Sequence, residues 1–166
     1  MPGDQWLEDV GDRNIDQVIQ LESSHRIDSI VVAIESLLLL KEDLTTTERV
    51  VVVVEAMERE VGNGGFNQFF YNSSNEYAGE LAAALRQIGI PDIAAIAERA
   101  LQAIGAQPEW TYDEFEEAAE DPDDATAAEL DACDQAYYET EDGIANTLFE
   151  FIKKNSSEIS LGAKSE

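Results

Sequence analysis

The sequence predicts an all-α fold, a single-domain bundle of about seven or eight helices. Three observations predict it. Apolar residues recur at spacings of three and four through most of the chain, helix-starting and helix-stopping residues bracket those segments, and no stretch keeps the strict alternation of a half-buried strand. The chain has 166 residues, a length for one domain. That domain is expected over 24–154, after a loose lead-in at 1–23 and before a frayed tail at 155–166.

The lead-in holds one short helix around 15–21. A helix then follows Ser24 as its cap, with Ile27, Ile30, Val31, Ile34, Leu37 and Leu38 on one stripe. Thr45 and Glu48 have the spacing of a capping box for the next helix. Its run of five valines, 50–54, favours a strand locally. Val50, Val53, Val54, Met57 and Val61 nevertheless share one helical face, over a span too long for a typical strand. Gly62, Asn63, Gly64 and Gly65 end that helix, because they tolerate positive φ. Residues 66–71 form a short aromatic helix or turn, and Asn72, Ser73, Ser74 and Asn75 cap a helix over about 76–88.

Gly89 stops that helix and Pro91 opens the next. The stripe of this fifth segment is Ile93, Ile96, Ala97, Ala100, Leu101 and Ile104, and Gly105 ends it. Thr111 and Glu114 form a second capping box, for a helix to about Glu120. Asp121 as cap with Pro122 at the first helical position starts another, to about Glu139. Thr140 caps the last helix, which carries Ile144, Leu148, Phe151 and Ile152 and ends on Lys153 and Lys154, whose charges suit the negative end of a helix dipole.

Charge sets the functional bounds. There are 36 Asp and Glu against 10 Lys and Arg, a formal charge of −26. Direct nucleic-acid binding is excluded, since phosphates need Lys and Arg to displace their counterions; docking on anionic lipid is disfavoured for the same reason. Hydrophobic residues make up 44% of the chain, too many for an acidic disordered polypeptide. Cys133 is the only cysteine, so no intramolecular disulfide forms. The acidic, apolar-poor start does not have the form of a signal peptide, and the apolar runs 37–40 and 50–54 are too short to span a bilayer. A cytoplasmic protein with no membrane partner is expected.

The acids are unevenly placed. Residues 100–152 hold sixteen acidic residues and no basic one. Trp110, Tyr112, Phe115, Leu130, Tyr137, Tyr138, Ile144, Leu148 and Phe149 interleave with them, so this is folded structure rather than a solvated tail. Asp113, Glu117 and Glu120 fall on one helical face. Asp124, Asp131 and Asp142 fall on another if the helix continues that far, with Asp134 beside them. Carboxylates at i and i+4 lie ~6 Å apart at Cβ, close to the spacing of phosphates along a DNA strand.

The most distinctive stretch runs from Glu60 through Asn63, Gly64, Gly65, Phe66, Gln68, Phe69 and Phe70 to Asn72. Its residues read structurally. The glycines reverse the chain after a helix, Phe66, Phe69 and Phe70 are core residues at helical spacing, and Asn63, Gln68 and Asn72 satisfy backbone groups at the turn. The stretch resembles the signature of the DNA mimic protein family, and the likeness extends over about 25–150. The resemblance implies an all-helical homodimer whose acidic surface imitates DNA phosphates. The implied partner is a DNA-binding protein, such as a transcription factor or repressor, that it displaces from DNA. By clustering, the contacting acids are Asp113, Glu116, Glu117, Glu120, Asp123, Asp124, Asp131 and Asp134.

Other readings compete. Acidic runs are commonly solvated helix faces, and a salty cytoplasm favours acidic surfaces throughout. On that reading the chain is an adaptor or immunity-type module that binds proteins through the aromatic motif. Chemistry finds little foothold. His25, the only histidine, has Asp28 three residues on, a spacing common on helix surfaces. Cys133 is spaced as a core residue with Leu130 and Tyr137. Pairs such as Glu116 and Glu120 are too abundant here to specify hydrolysis. Asp121, Asp123 and Asp124 lack the ligand order of a calcium loop, and residues 62–65 lack the Lys and the preceding strand of a phosphate loop. No catalytic residue, metal or cofactor is expected.

Overall fold

The computed structural model describes residues 3–140 and 143–162. Eight α-helices follow one another among them: α1 (Ile15–Ile19), α2 (Ile27–Leu38), α3 (Thr46–Tyr71), α4 (Ala78–Gln87), α5 (Pro91–Ala103), α6 (Tyr112–Glu120), α7 (Asp124–Thr140) and α8 (Ile144–Lys154). The fold is all-α, and β pairing among the described residues is limited to an isolated bridge between Gln5 and His25. The chain divides into two compact units, residues 1–55 with 143–166 and residues 56–142, and the division falls within α3.

In the first unit α2 packs against α8. Ile30, Val31, Ile34 and Leu38 of α2 are fully buried, as are Leu148, Phe149 and Ile152 of α8. Ser24 does not cap α2. Its hydroxyl donates to the Leu21 carbonyl and lies 2.8 Å from His25 Nδ1, and α2 begins after Arg26 with no side-chain cap. The lead-in is less loose than its lack of period suggests. Leu7 and Val10 are buried, and the Leu7 N–H donates to Ser29 Oγ at 3.0 Å. Two buried apolar residues three apart in non-helical chain give no periodic signal.

The capping box of α3 is present, with the Thr45 N–H donating to Glu48 Oε1 and the Glu48 N–H to Thr45 Oγ1. Glu48 is fully buried. It also accepts two hydrogen bonds from Lys41 Nζ, at 2.7 and 2.6 Å, and one from the Ser160 N–H at 2.8 Å. Burial pushes its carboxyl up, but the Lys41 ammonium and the Ser160 and Thr45 N–H groups outweigh that and hold it below its ordinary value. The expected frayed tail is therefore docked as far as it is described: Ile159 is buried, and Glu158 accepts from the hydroxyls of Thr45 and Thr47. All five valines 50–54 are buried, so the helix is apolar around its whole circumference there, and a single stripe understates it.

In the second unit, α4 and α5 form a tight helical hairpin. Gly89 has φ +93°, and the Ile90 N–H closes back onto the Leu85 carbonyl at 3.0 Å, the bond that ends a helix in a left-handed turn. Pro91 occupies the first position of α5, as expected. α5 packs on α7, where Leu130, Cys133 and Tyr137 are buried. Four helix starts differ from expectation, the first at α6, where Thr111 precedes the helix without a side-chain cap and its hydroxyl donates instead to Glu114 Oε1 at 3.4 Å. Asn72 caps nothing through its side chain, and a 3-10 turn (Ser73–Tyr77) precedes α4. Asp123, not Asp121, caps α7, accepting from the Thr126 N–H at 2.7 Å. Thr140 belongs to the last turn of α7 and donates to the Ala136 and Tyr137 carbonyls, while α8 starts after Gly143 at φ +95°. At Thr140 the Ala136 and Tyr137 carbonyls take the hydroxyl, and at Asn72 the Glu60 carboxylate takes the side-chain amide.

Candidate functional site

The Gly-rich motif is a kink within α3. Gly64 (φ −152°, ψ 19°) and Gly65 (φ 78°, ψ −179°) leave helical geometry, and the helix resumes at once. Gly65 lies in a region open essentially to glycine. A Cβ there would also sit 2.3 Å from Asp134 Oδ2, and one on Gly64 would sit 1.9 Å from Gln68 Oε1. After the kink Phe66, Phe69 and Phe70 are buried. Phe66 meets Tyr137 edge-on at 6.0 Å, and Phe70 stacks on Phe115 at 6.0 Å, which ties the motif to α7 and α6.

The polar motif residues act differently from expectation. Gln68 Nε2 and Asn72 Nδ2 each donate to Glu60 Oε2 at 2.9 Å. The two amides thus clasp a carboxylate on the preceding helical turns, rather than backbone groups. Asn63 is exposed. Sequence reasoning passed over Glu60 as an anchor; its signal is an acid just before the glycines, followed by two amides eight and twelve residues on.

The acids of the two helices separate by orientation. Phe115 and Ala119 bury one side of α6, and Asp113, Glu117 and Glu120 are exposed on the other. Glu116 is half-buried beside them; the Tyr112 hydroxyl hydrogen-bonds it, which pushes the phenol up. On α7, Asp124 and Asp131 are exposed. Asp123 is exposed and committed to the helix cap, and the Thr126 N–H holds its carboxyl below the usual range.

Asp134 does not join the exposed row. It is half-buried and accepts the Phe66 N–H at 2.8 Å through Oδ1. Burial raises its carboxyl above the ordinary value, against the pull of that N–H bond. Its spacing carries the signal, since it lies four residues after Leu130 and three before Tyr137. Asp142, expected to extend the second row, lies outside the described residues. Arg99 of α5 pairs with Glu129 of α7, and Arg86 with Glu98, so some acids of this unit have basic partners from α4 and α5.

The chemical candidates come apart. Asp28 pairs with Arg26, at 2.6 Å, and His25 with Ser24. Cys133 is buried, and burial pushes its thiol up, away from the reactive thiolate. Among the described residues no group of three or more His, Cys, Asp and Glu is placed to hold a metal ion. No described helix is long and apolar enough to cross a membrane.

Residues 42–155 match a family model described as DMP19-like protein. That span covers the kinked motif, the clasp of Glu60 and both acidic helices. No curated protein and no solved structure gives a significant match.

Proposed function

The chain belongs to the DMP19-like protein family, and from that premise we propose that it is a DNA mimic. It binds a DNA-binding protein, such as a transcriptional repressor, through an acidic surface and blocks that protein's access to DNA. The observation that carries this reading is the segregation of α6, with Asp113, Glu117 and Glu120 exposed opposite buried Phe115 and Ala119. A rigid helix holding a one-sided acidic row presents charge at fixed spacing, which a flexible acidic tail does not. Asp124 and Asp131 extend the contact surface on α7, and Glu116 borders it. Asp134 is removed from the contacting set, because it is engaged at the Gly65 kink.

The mechanism is competitive occlusion without chemistry, in the cytoplasm, by a homodimer. The adaptor reading has less support. It needs apolar surface at the aromatic motif, and Phe66, Phe69 and Phe70 are buried.

The test is capture of a DNA-binding protein from native lysate at low salt, followed by challenge with duplex DNA. The proposed function expects DNA to release the captured protein, and expects the combined change of Glu116→Gln, Glu117→Gln, Glu120→Gln and Asp124→Asn to abolish capture. Capture that DNA does not compete with overturns it. Light scattering of the purified chain tests the dimer, and a monomeric mass at micromolar concentration overturns that part.

A further inference from the structure

A second recognition feature lies beside the acidic face of α6. A pocket of about 540 Å³ opens between the 3-10 turn, the end of α5 and the start of α6, lined by Asn75, Glu76, Leu101, Trp110, Tyr112 and Phe115 among others. Trp110 is held edge-on to Phe115, with ring centres 5.2 Å apart. Tyr112 is exposed at the rim and its hydroxyl bonds Glu116.

Asn75 supplies the specific requirement. The side chain is 1% exposed. Its Nδ2 donates to the Phe70 carbonyl at 2.8 Å and to the Tyr112 carbonyl at 3.4 Å, which fixes the amide with Nδ2 toward the backbone. Its Oδ1 is left buried without a hydrogen-bond partner. An orphaned buried acceptor is costly, and a donor that reaches it recovers that cost.

We propose that this pocket receives an arginine side chain of the protein partner. Three features of the pocket select that group. The orphaned Oδ1 needs an N–H donor, and guanidinium has five and no acceptor. The Trp110, Tyr112 and Phe115 rings suit a flat, weakly hydrated cation that stacks, which an ammonium does not match. Glu76 in the wall and Glu116 at the rim set a negative potential, in a segment with no basic residue from 100 to 152. An anion is repelled there, and a neutral apolar ligand leaves the carboxylates uncompensated. The ownership of the arginine by a DNA-binding protein rests on the mimic reading; the pocket's preference for guanidinium does not.

The test uses the full chain and two blocked tripeptides, acetyl-Gly-Arg-Gly-amide and acetyl-Gly-Lys-Gly-amide, titrated by NMR. The arginine peptide is expected to shift the Trp110 indole and Asn75 side-chain amide resonances together and to saturation, while the Trp6 indole stays in place. The lysine peptide is expected to bind at least about tenfold more weakly, and Glu76→Gln, a surface change, to weaken the arginine peptide several-fold. Equal response to both peptides, shifts confined to the exposed acids, or no shift at Trp110 overturns the proposal. Failure here and failure of the mimic reading are separable. Peptide binding with no competition by DNA for the captured partner removes the mimic and keeps the pocket. DNA competition with no peptide response does the reverse.

Discussion

Asp134 of α7 accepts a 2.8 Å hydrogen bond from the backbone N–H of Phe66, at the kink where α3 leaves helical geometry. The carboxylate takes up a donor that the kink would otherwise leave without an intrahelical acceptor, and it does so in a half-buried position. An acid that counts toward the charge of the surface thus supports the aromatic core instead.

Replacing Asp134 separates the two roles. Asp134→Ala removes the acceptor and is expected to cost about 1–3 kcal/mol in chemical denaturation, with Asp134→Asn milder because its carbonyl still accepts. The folded carboxyl is raised above its ordinary value of 3.8, chiefly by burial. Folding therefore favours its protonated form, and that contribution is present at low pH and lost as pH rises through the folded value. Wild type should gain on Asp134→Asn as pH falls through the carboxylate range. A gap that moves the other way would contradict the assignment.

Gly65 is the other half of this contact. Gly65→Ala meets both a glycine-only backbone region and a carboxylate oxygen 2.3 Å from the new Cβ. The backbone term alone is expected to cost about 1–3 kcal/mol. A double-mutant cycle divides the two causes. In an Asp134→Ala background the steric part disappears while the φ part stays, so Gly65→Ala should cost less there but still destabilise. Full additivity of the two changes would show that the side-chain clash contributes nothing.

Much of this is legible in the sequence. Helix starts and stops were readable where one short polar side chain or glycine faced one set of backbone groups, as at Thr45 with Glu48 and at Gly89 with Pro91. Spacing misplaces them at Ser24, Thr111, Asp121 and Thr140, where a neighbouring carbonyl, a carboxylate or a second aspartate competes for the same role. The outward row Asp113, Glu117 and Glu120 followed from spacing alone. Residue type places Asp134 on the surface, whereas its position between buried Leu130 and Tyr137 turns it inward. The anchoring of Glu48 was out of reach, since one of its donors, Ser160, lies 112 residues away in sequence. So was the orphaned Oδ1 of Asn75, which depends on two carbonyls from separate segments.

Glu48 should titrate with the opposite sign to Asp134. Burial raises it, but Lys41 and two N–H groups hold it below its ordinary value of 4.5. Its contribution is present above that value and lost as pH falls through the lower folded one. Glu48→Gln keeps the shape and removes the charge, leaving Lys41 without its carboxylate. The variant is expected to be less stable at pH 7, by about 3–5 kcal/mol if Lys41 stays enclosed and less to the extent that solvent reaches it. The deficit should shrink on acidification. A deficit independent of pH would mean that charge at Glu48 is not what stabilises the head of α3.

Salt should act on this protein in two opposite directions. A net charge of −26 repels itself, so screening favours the compact state, and thermal unfolding is expected at higher temperature as sodium chloride is added. Partner capture through the exposed acids should weaken over the same range, because the screening length falls from about 8 Å at 0.15 M to about 3 Å at 1 M. The amide changes at Glu116, Glu117, Glu120 and Asp124 connect the two effects. They remove four negative charges from α6 and α7, so the variant should unfold no earlier than wild type and respond less steeply to salt, even as it loses the partner. If it instead unfolds several degrees lower, loss of capture would report damage to the fold. Restoring the four singly, beginning with the half-buried Glu116 that the Tyr112 hydroxyl bonds, would then identify which carboxylate the fold requires.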